Sequence, residues 1–395
     1  MSRAQGFWRT GWHIAVLLAG LWAAPLALAH KSSDAYLTLQ VDGQRIEQRF
    51  DIVLRDIDRE LLLDTNDDGQ LQWAEVRAHG AQIRQLAAAG LQISADGQPC
   101  TVQRQPEMQI DEHSDGSYAV LVQHLLCAAA PARLQLHYSL FAHTDASHRG
   151  LVRVLQGPPR EAPDEAAVHT AVLVPGAPPQ VLELQGSGGA GRSFIDFVAQ
   201  GVHHILIGTD HLLFLLALLL PAVLVRGPQG WHAAPALRPV LLDVLRVVTA
   251  FTVAHSITLG LAVADLLDPP SRWVESIIAA SVLLAALNNL RPVVGRQRWV
   301  ITFGFGLVHG FGFAGALKGL GLGAGSLLPP LLGFNVGVEL GQLAIVAAFV
   351  PLAWVLRATP VYRRAALTGG SVGIALLAAV WLAERALNLH WLGVA

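Results

Sequence analysis

The sequence predicts an α-helical polytopic membrane bundle of about six spans, preceded by a mainly β periplasmic domain with one EF-hand-like loop. Three observations lead there. Of the 395 residues, 53% are hydrophobic and 14% charged, which is too apolar for a soluble chain and too mixed for a bundle alone, so one wet part and one lipid-embedded part are expected. Six apolar runs after residue 194 are each long enough to cross a hydrocarbon core of about 30 Å. Before them lie short alternating segments separated by turns such as Asp42-Gly43, Asp96-Gly97 and Asp115-Gly116, the pattern of half-buried strands.

Taken in order, residues 1–29 read as a secretory signal. Arg3 and Arg9 precede the apolar stretch Ile14–Leu21, and Ala27-Leu28-Ala29 fits the small-x-small cleavage rule. The mature chain then starts at His30, and residues 30–188 form the exported domain. Strands are expected over 35–41, 45–53, 101–105, 119–126, 133–141, 151–155, 170–174 and 180–184, packed as a sandwich. Helices are expected over 54–63 and 73–88. Between them, residues 64–75 match the twelve-residue EF-hand loop. Asp64, Asn66 and Asp68 stand at positions one, three and five, Gly69 makes the turn at six, Gln70 offers its carbonyl at seven, and Glu75 closes at twelve. Oxygen ligands at this spacing suit a structural calcium ion. Cys100 and Cys127 are the only cysteines. In an oxidising compartment they should pair, which stabilises by roughly 3 kcal/mol in the chain-entropy view. His30 and the His143/His148 pair are weaker candidates for transition-metal ligands.

A glycine-rich linker, 189–193, leads into the transmembrane domain, 194–395. Its spans are expected near 203–225, 239–265, 273–290, 299–321, 331–356 and 366–383. Loops after odd spans carry Arg226, Arg238, Arg291, Arg296, Arg298, Arg357, Arg363 and Arg364, against Arg272, Lys318 and Arg385 on the other side. This bias places the β domain outside, on a bacterial-type cytoplasmic (inner) membrane. Ionisable groups recur inside the apolar runs. His203, His204, Asp210 and His211 open the first. On one continuous helix His204 and His211, seven apart, share a face, as do His203 and Asp210. His255 lies in the second run, His309 in the fourth and Glu339 in the fifth. Such groups are costly in lipid and mark a substrate path, and imidazole with carboxylate is a natural ligand set for a borderline divalent metal.

At these residues the chain resembles the HupE/UreJ group of nickel/cobalt permeases, and most closely its larger members with an exported domain. The similar stretches are His204-x5-Asp210-His211 with Leu212 to Leu215, Thr249 to Ser256, His309 to Ala314, and Phe334 to Glu339. The resemblance implies that His204, Asp210 and His211 select nickel or cobalt as the transported substrate. The competing reading is a membrane-anchored, calcium-stabilised domain that binds or delivers metal without transport. The sequence carries no Walker motif, no catalytic triad and no His-Glu-x-x-His, so it is not read as an enzyme. A net charge of −2 offers no broad surface for nucleic acid. The expected partners are the lipid bilayer and a divalent metal ion, and the sequence names no protein partner.

Overall fold

Alternating apolar side chains build two sheets over one core. The computed structural model describes residues 34–387 apart from 114–115, 146, 159–168, 185–188, 228–229, 294–296 and 320–323. The signal expected at 1–29, and His30, lie outside the described residues. In chain order β1 is Asp34–Asp42, β2 Arg45–Val53, β3 Leu91–Ala95, β4 Gln98–Pro99, β5 Thr101–Arg104 and β6 Gln109–His113. Then follow β7 Gly116–Leu126, β8 Arg133–Tyr138, β9 Arg149–Gln156, β10 His169–Leu173 and β11 Gln180–Glu183. One sheet runs β10-β9-β1-β2-β7, with β5 and β6 both pairing along β7, and the other runs β11-β8-β3-β4. Leu37, Leu39, Phe50, Ile52 and Leu121 of the larger sheet and Leu91, Leu134, Leu136 and Leu182 of the smaller share one buried cluster. The expected sandwich is therefore present, and most of the expected strands match within a few residues; β3, β4 and β6 are additional. Asp96 and Gly97 both have positive φ, 49° and 83°, the turn that closes a two-residue hairpin. Cys100 and Cys127 form a disulfide across 27 residues.

Three helices complete this part: α1 Leu54–Leu61, α2 Trp73–Ala78 and α3 Gly80–Gly90. The single helix expected over 73–88 is thus two, parted at His79. Ile57, Val76 and Ile83 tie all three into the same core.

The helical part comprises α4 Gly189–Ile207, α5 Thr209–Leu219, a hairpin of β12 Leu224–Gly227 and β13 Gly230–Ala233, α6 Leu237–Val263 and α7 Ser271–Leu290. After these come α8 Arg298–His309, a 3-10 turn Gly310–Phe313, α9 Ala314–Gly319, α10 Ala324–Leu356, a π-helical stretch Tyr362–Gly369 and α11 Gly370–Leu387. Among the described residues four helices are long and apolar enough to span, or five if the bent pair α4–α5 is one span. Six straight spans are not observed, for two reasons. The run expected at 203–225 breaks at Gly208 with a 69° bend and turns into the hairpin after Leu219. The run expected at 299–321 breaks at Gly310 into three pieces.

Small residues set how these helices meet. Gly333, Gly337 and Gly341 line one stripe of α10, and a Cβ at each would run into backbone or Cβ atoms of Phe194, Val198, Gly201, Val202 or Ile205 on α4. Gly306 and Gly310 likewise lie against Phe251, Ala254, His255 and Thr258 of α6. Glycine at four-residue spacing is what lets helix backbones approach in lipid.

The sheet and the bundle are in contact. Tyr36, Val53, Tyr118 and Leu151, on the face of the larger sheet away from its core, pack with Phe197, Ile205, Val263, Leu317, Phe334 and Val338. Hydrogen bonds Thr170–Ser193 and Gln180–Asp196 span the same junction. The opposite end of the bundle is rich in arginine. There Arg226 donates to Pro292, Arg357 to Ala234 and Arg363 to Trp231.

Candidate metal centre

The break at Gly208 creates the site. Gly208 has ψ 96°, outside the helical region, and α5 starts afresh after it. A side chain at 208 would press on the His204 carbonyl. Asp210 falls in the first turn of α5, where a carboxylate is favoured by the unpaired N–H groups and the helix dipole. Its Oδ1 accepts the His211 backbone N–H at 2.8 Å and the His211 ring Nδ1 at 2.9 Å.

Eleven residues span about 16 Å, so α5 ends inside the bundle with its last carbonyls exposed. Side chains from three other elements meet them. Asn289 donates to Ala217 at 2.8 Å, Arg298 to Leu218, and the Tyr362 hydroxyl to Leu220 at 2.9 Å. Irregular backbone within a bundle persists only when satisfied in this way.

Four of the expected ligands gather behind the bend. The His204 and His211 ring centroids are 4.6 Å apart and those of His211 and His309 5.1 Å. His255 stacks on Phe251 and Phe334. His204 also packs on Phe313 and Phe334. The two imidazoles of the first motif thus meet across a bend rather than along one helical face.

The hydrogen-bond network fixes which ring nitrogen carries the proton. A carboxylate only accepts, so His211 donates from Nδ1 to Asp210 and its Nε2 is bare. The Asn335 amide donates to the Leu331 carbonyl at 2.8 Å, and its Oδ1 faces His255 Nδ1 at 3.3 Å. His255 Nδ1 is therefore the donor and Nε2 is bare. The Ser281 hydroxyl gives its one proton to the Ile278 carbonyl at 2.7 Å and so accepts from His309 Nε2 at 2.9 Å, leaving Nδ1 bare. These nitrogens, His211 Nε2, His255 Nε2 and His309 Nδ1, together with His204 Nε2, are buried without a hydrogen-bond partner. Buried orphans are uncommon and call for an explanation. Asn335 was visible in the sequence only as one of several polar residues in the fifth run. Ser281 gave no signal, because a serine in an apolar helix ordinarily bonds back to its own backbone.

The other two expected residues have partners of their own. His203 contacts the Arg149 guanidinium on β9 and so belongs to the junction with the sheet, not to a pair with Asp210. Glu339 Oε1 accepts from Thr249 at 2.9 Å, while its Oε2 is buried and unpartnered. His148 is buried and bonded to the Tyr138 hydroxyl at 2.6 Å, whereas His143 is exposed.

In the 64–75 loop, Asp67 and Gly69 take positive φ, 57° and 74°. Asp64 accepts the backbone N–H groups of Asp68 and Gly69, Asn66 that of Asp68, and Asp68 that of Gln70. Glu75 accepts from Thr65 and Gln72. Gln70 is exposed.

Among the described residues, one group of three His, Cys, Asp or Glu has ligand atoms within 4.8 Å of one another: Asp51, Asp111 and His113 of the β domain. His113 is not singled out by the sequence, and the strand β6 that carries it was not expected.

Residues 181–385, just over half of the chain, match the family described as HupE / UreJ protein. No match was found among curated proteins.

Proposed function

Because the chain belongs to the HupE / UreJ family, a multi-pass membrane protein, we propose that it is a permease for a divalent transition metal, nickel or cobalt, whose path runs through His204, His211, His255 and His309. The observation that carries this reading is the set of buried, unpartnered imidazole nitrogens on histidines whose rings pack against one another and against Phe251, Phe313 and Phe334. Each of His211, His255 and His309 is polarised from behind by an acceptor, as outer partners do for metal-bound histidine. Neutral imidazole is a ligand for nickel, cobalt, zinc or copper, so metal identity is for competition experiments to decide. Among the described residues the β-domain trio is the one group with ligand atoms within 4.8 Å of one another, so no three of these nitrogens converge that closely. An ion would be held by few ligands at a time and passed on, which suits permeation better than storage. The arginines at the far end of the bundle favour that end as cytoplasmic and the sheet as exported.

Metal uptake into cells or proteoliposomes is the test. Asp210→Asn and His211→Ala should reach the membrane at normal levels and abolish uptake, while His232→Ala, exposed in the hairpin, leaves it unchanged. Wild-type uptake in the first two variants would reduce the cluster to packing groups.

The loop of Asp64, Asn66, Asp68, Gln70 and Glu75 is proposed to hold calcium as a structural ion, on the strength of its spacing and of the turn at Gly69. Glu75→Gln removes the closing bidentate ligand. Calcium should raise the melting temperature of the wild type and do so far less in the variant. A wild-type melting curve indifferent to calcium or chelator would remove this assignment.

A further inference from the structure

The larger sheet turns one face to its own core and the other to the bundle, and the second face is unusually polar. Tyr36 and Thr38 of β1, Arg49, Asp51 and Val53 of β2, Asp111 and His113 of β6, and Tyr118 of β7 share it by register. Two of these strands flank β7 on opposite sides. They bring Asp51, Asp111 and His113 together with all three ligand atoms within 4.8 Å.

The spacing is that of a metal site. His113 Nε2 lies 3.3 Å from Asp51 Oδ2. Two ligands bound at about 2.0–2.1 Å to a tetrahedral ion stand about 3.3 Å apart. His113 is held for the purpose, since its ring is 4.3 Å from that of Tyr118 and 5.1 Å from that of Tyr36. The Asp51 side chain is 5% exposed and that of Asp111 51%, so the trio opens to water on one side only.

A cation already sits there. Arg49 donates to Asp51 at 2.8 Å and to Asp111 at 2.6 Å. Its side chain is 41% exposed, so it can swing into solvent at little cost in packing. A divalent ion taking its place would meet two carboxylates and one imidazole with positions left over for water. Arg49 thus keeps two like charges together until such an ion arrives.

The position matters as much as the ligands. Tyr36 and Tyr118, which clamp His113, belong to the same buried cluster as Phe313 and Phe334, and those two rings wall His204. One continuous run of contacts therefore leads from His113 to the first imidazole of the membrane cluster.

We infer that Asp51, Asp111 and His113 form an exchangeable site for a borderline divalent transition metal, with Arg49 as its resident placeholder, at the mouth of the membrane path. The role in feeding that path rests on the permease reading; the site itself does not.

The test uses the full-length protein carrying His204→Ala, His211→Ala, His255→Ala and His309→Ala together, which removes the membrane cluster as a competitor, in excess calcium to fill the 64–75 loop. Radioactive cobalt(II) is the probe, read by equilibrium dialysis. One ion should remain bound. Adding Asp111→Asn, a half-exposed position that tolerates the change, should weaken it by at least about tenfold. Adding Arg49→Gln should tighten it, because the competing cation is gone. A folded quadruple variant that binds no cobalt, or one whose affinity is indifferent to Asp111→Asn, shows Arg49, Asp51, Asp111 and His113 to be an ion-pair network and overturns the site. Arg49→Gln weakening the ion instead of tightening it overturns the placeholder. A wild type that binds cobalt here yet transports none overturns the permease reading alone.

Discussion

Asn335 and Ser281 touch no metal in the proposed path, yet each decides which nitrogen of a histidine is bare. Asn335→Leu removes the acceptor behind His255 and frees its tautomer. Metal affinity in uptake should fall about 10–100-fold, the usual effect of losing such a partner, with expression and melting temperature nearly unchanged. Asn335→Asp keeps an acceptor and should restore most of the affinity. A merely structural role would move the melting temperature and leave the apparent affinity alone. The histidines themselves were legible, because ionisable side chains in apolar runs are conspicuous. Their pairing was not. His203 and His204 are neighbours in sequence but serve the sheet junction and the cluster respectively, because adjacent positions on α4 point about 100° apart around the helix. Glu339 was equally conspicuous, and the structure gives it Thr249.

The helices show where hydropathy stops informing. Residues 203–225 are apolar but for the His and Asp residues at their start, and composition does not register a 69° bend. Gly208 was in plain view, but a glycine within a membrane helix signals close packing as often as a break. The stripe Gly333-Gly337-Gly341, at four-residue spacing, was not singled out in the sequence; in the structure it is a helix-facing surface, and α4 fills it. Gly337→Val places a branched side chain against the Val198 carbonyl. It should destabilise the purified protein by about 1–3 kcal/mol, as overpacking does, seen as a lower melting temperature in detergent. In the β domain most of the alternating strands were readable to within about three residues, while β3, β4 and β6 were not. β6 escaped because its pattern, Gln109 to His113, is exposed almost throughout and carries no apolar face.

At the scale of the whole molecule, the seating of the sheet on the bundle was invisible in the sequence. The contacts that make it, Arg149–His203, Thr170–Ser193 and the Tyr36/Tyr118 patch, join residues far apart along the chain. The seating can be checked chemically. Thr170→Cys with Ser193→Cys places two thiols where the hydroxyls now bond, and a second disulfide should form beside Cys100–Cys127. Counting free thiols after mild oxidation and comparing melting temperatures with and without reductant reads the result. Free thiols at both positions would mean that the two parts do not stay docked.

The short helix α5 has a consequence for how the protein is made. Its last carbonyls are met by Asn289, Arg298 and Tyr362, all synthesised well after it. While the ribosome is still translating the first half of the bundle, residues 209–219 have no stable place in lipid, since too short a helix with unmet carbonyls is poorly held there. Insertion of this segment should therefore be late and dependent on the chain that follows. Nascent chains stalled before residue 289 should leave a cysteine introduced at Ala217 open to a water-borne alkylating reagent, and chains extended past Tyr362 should shield it.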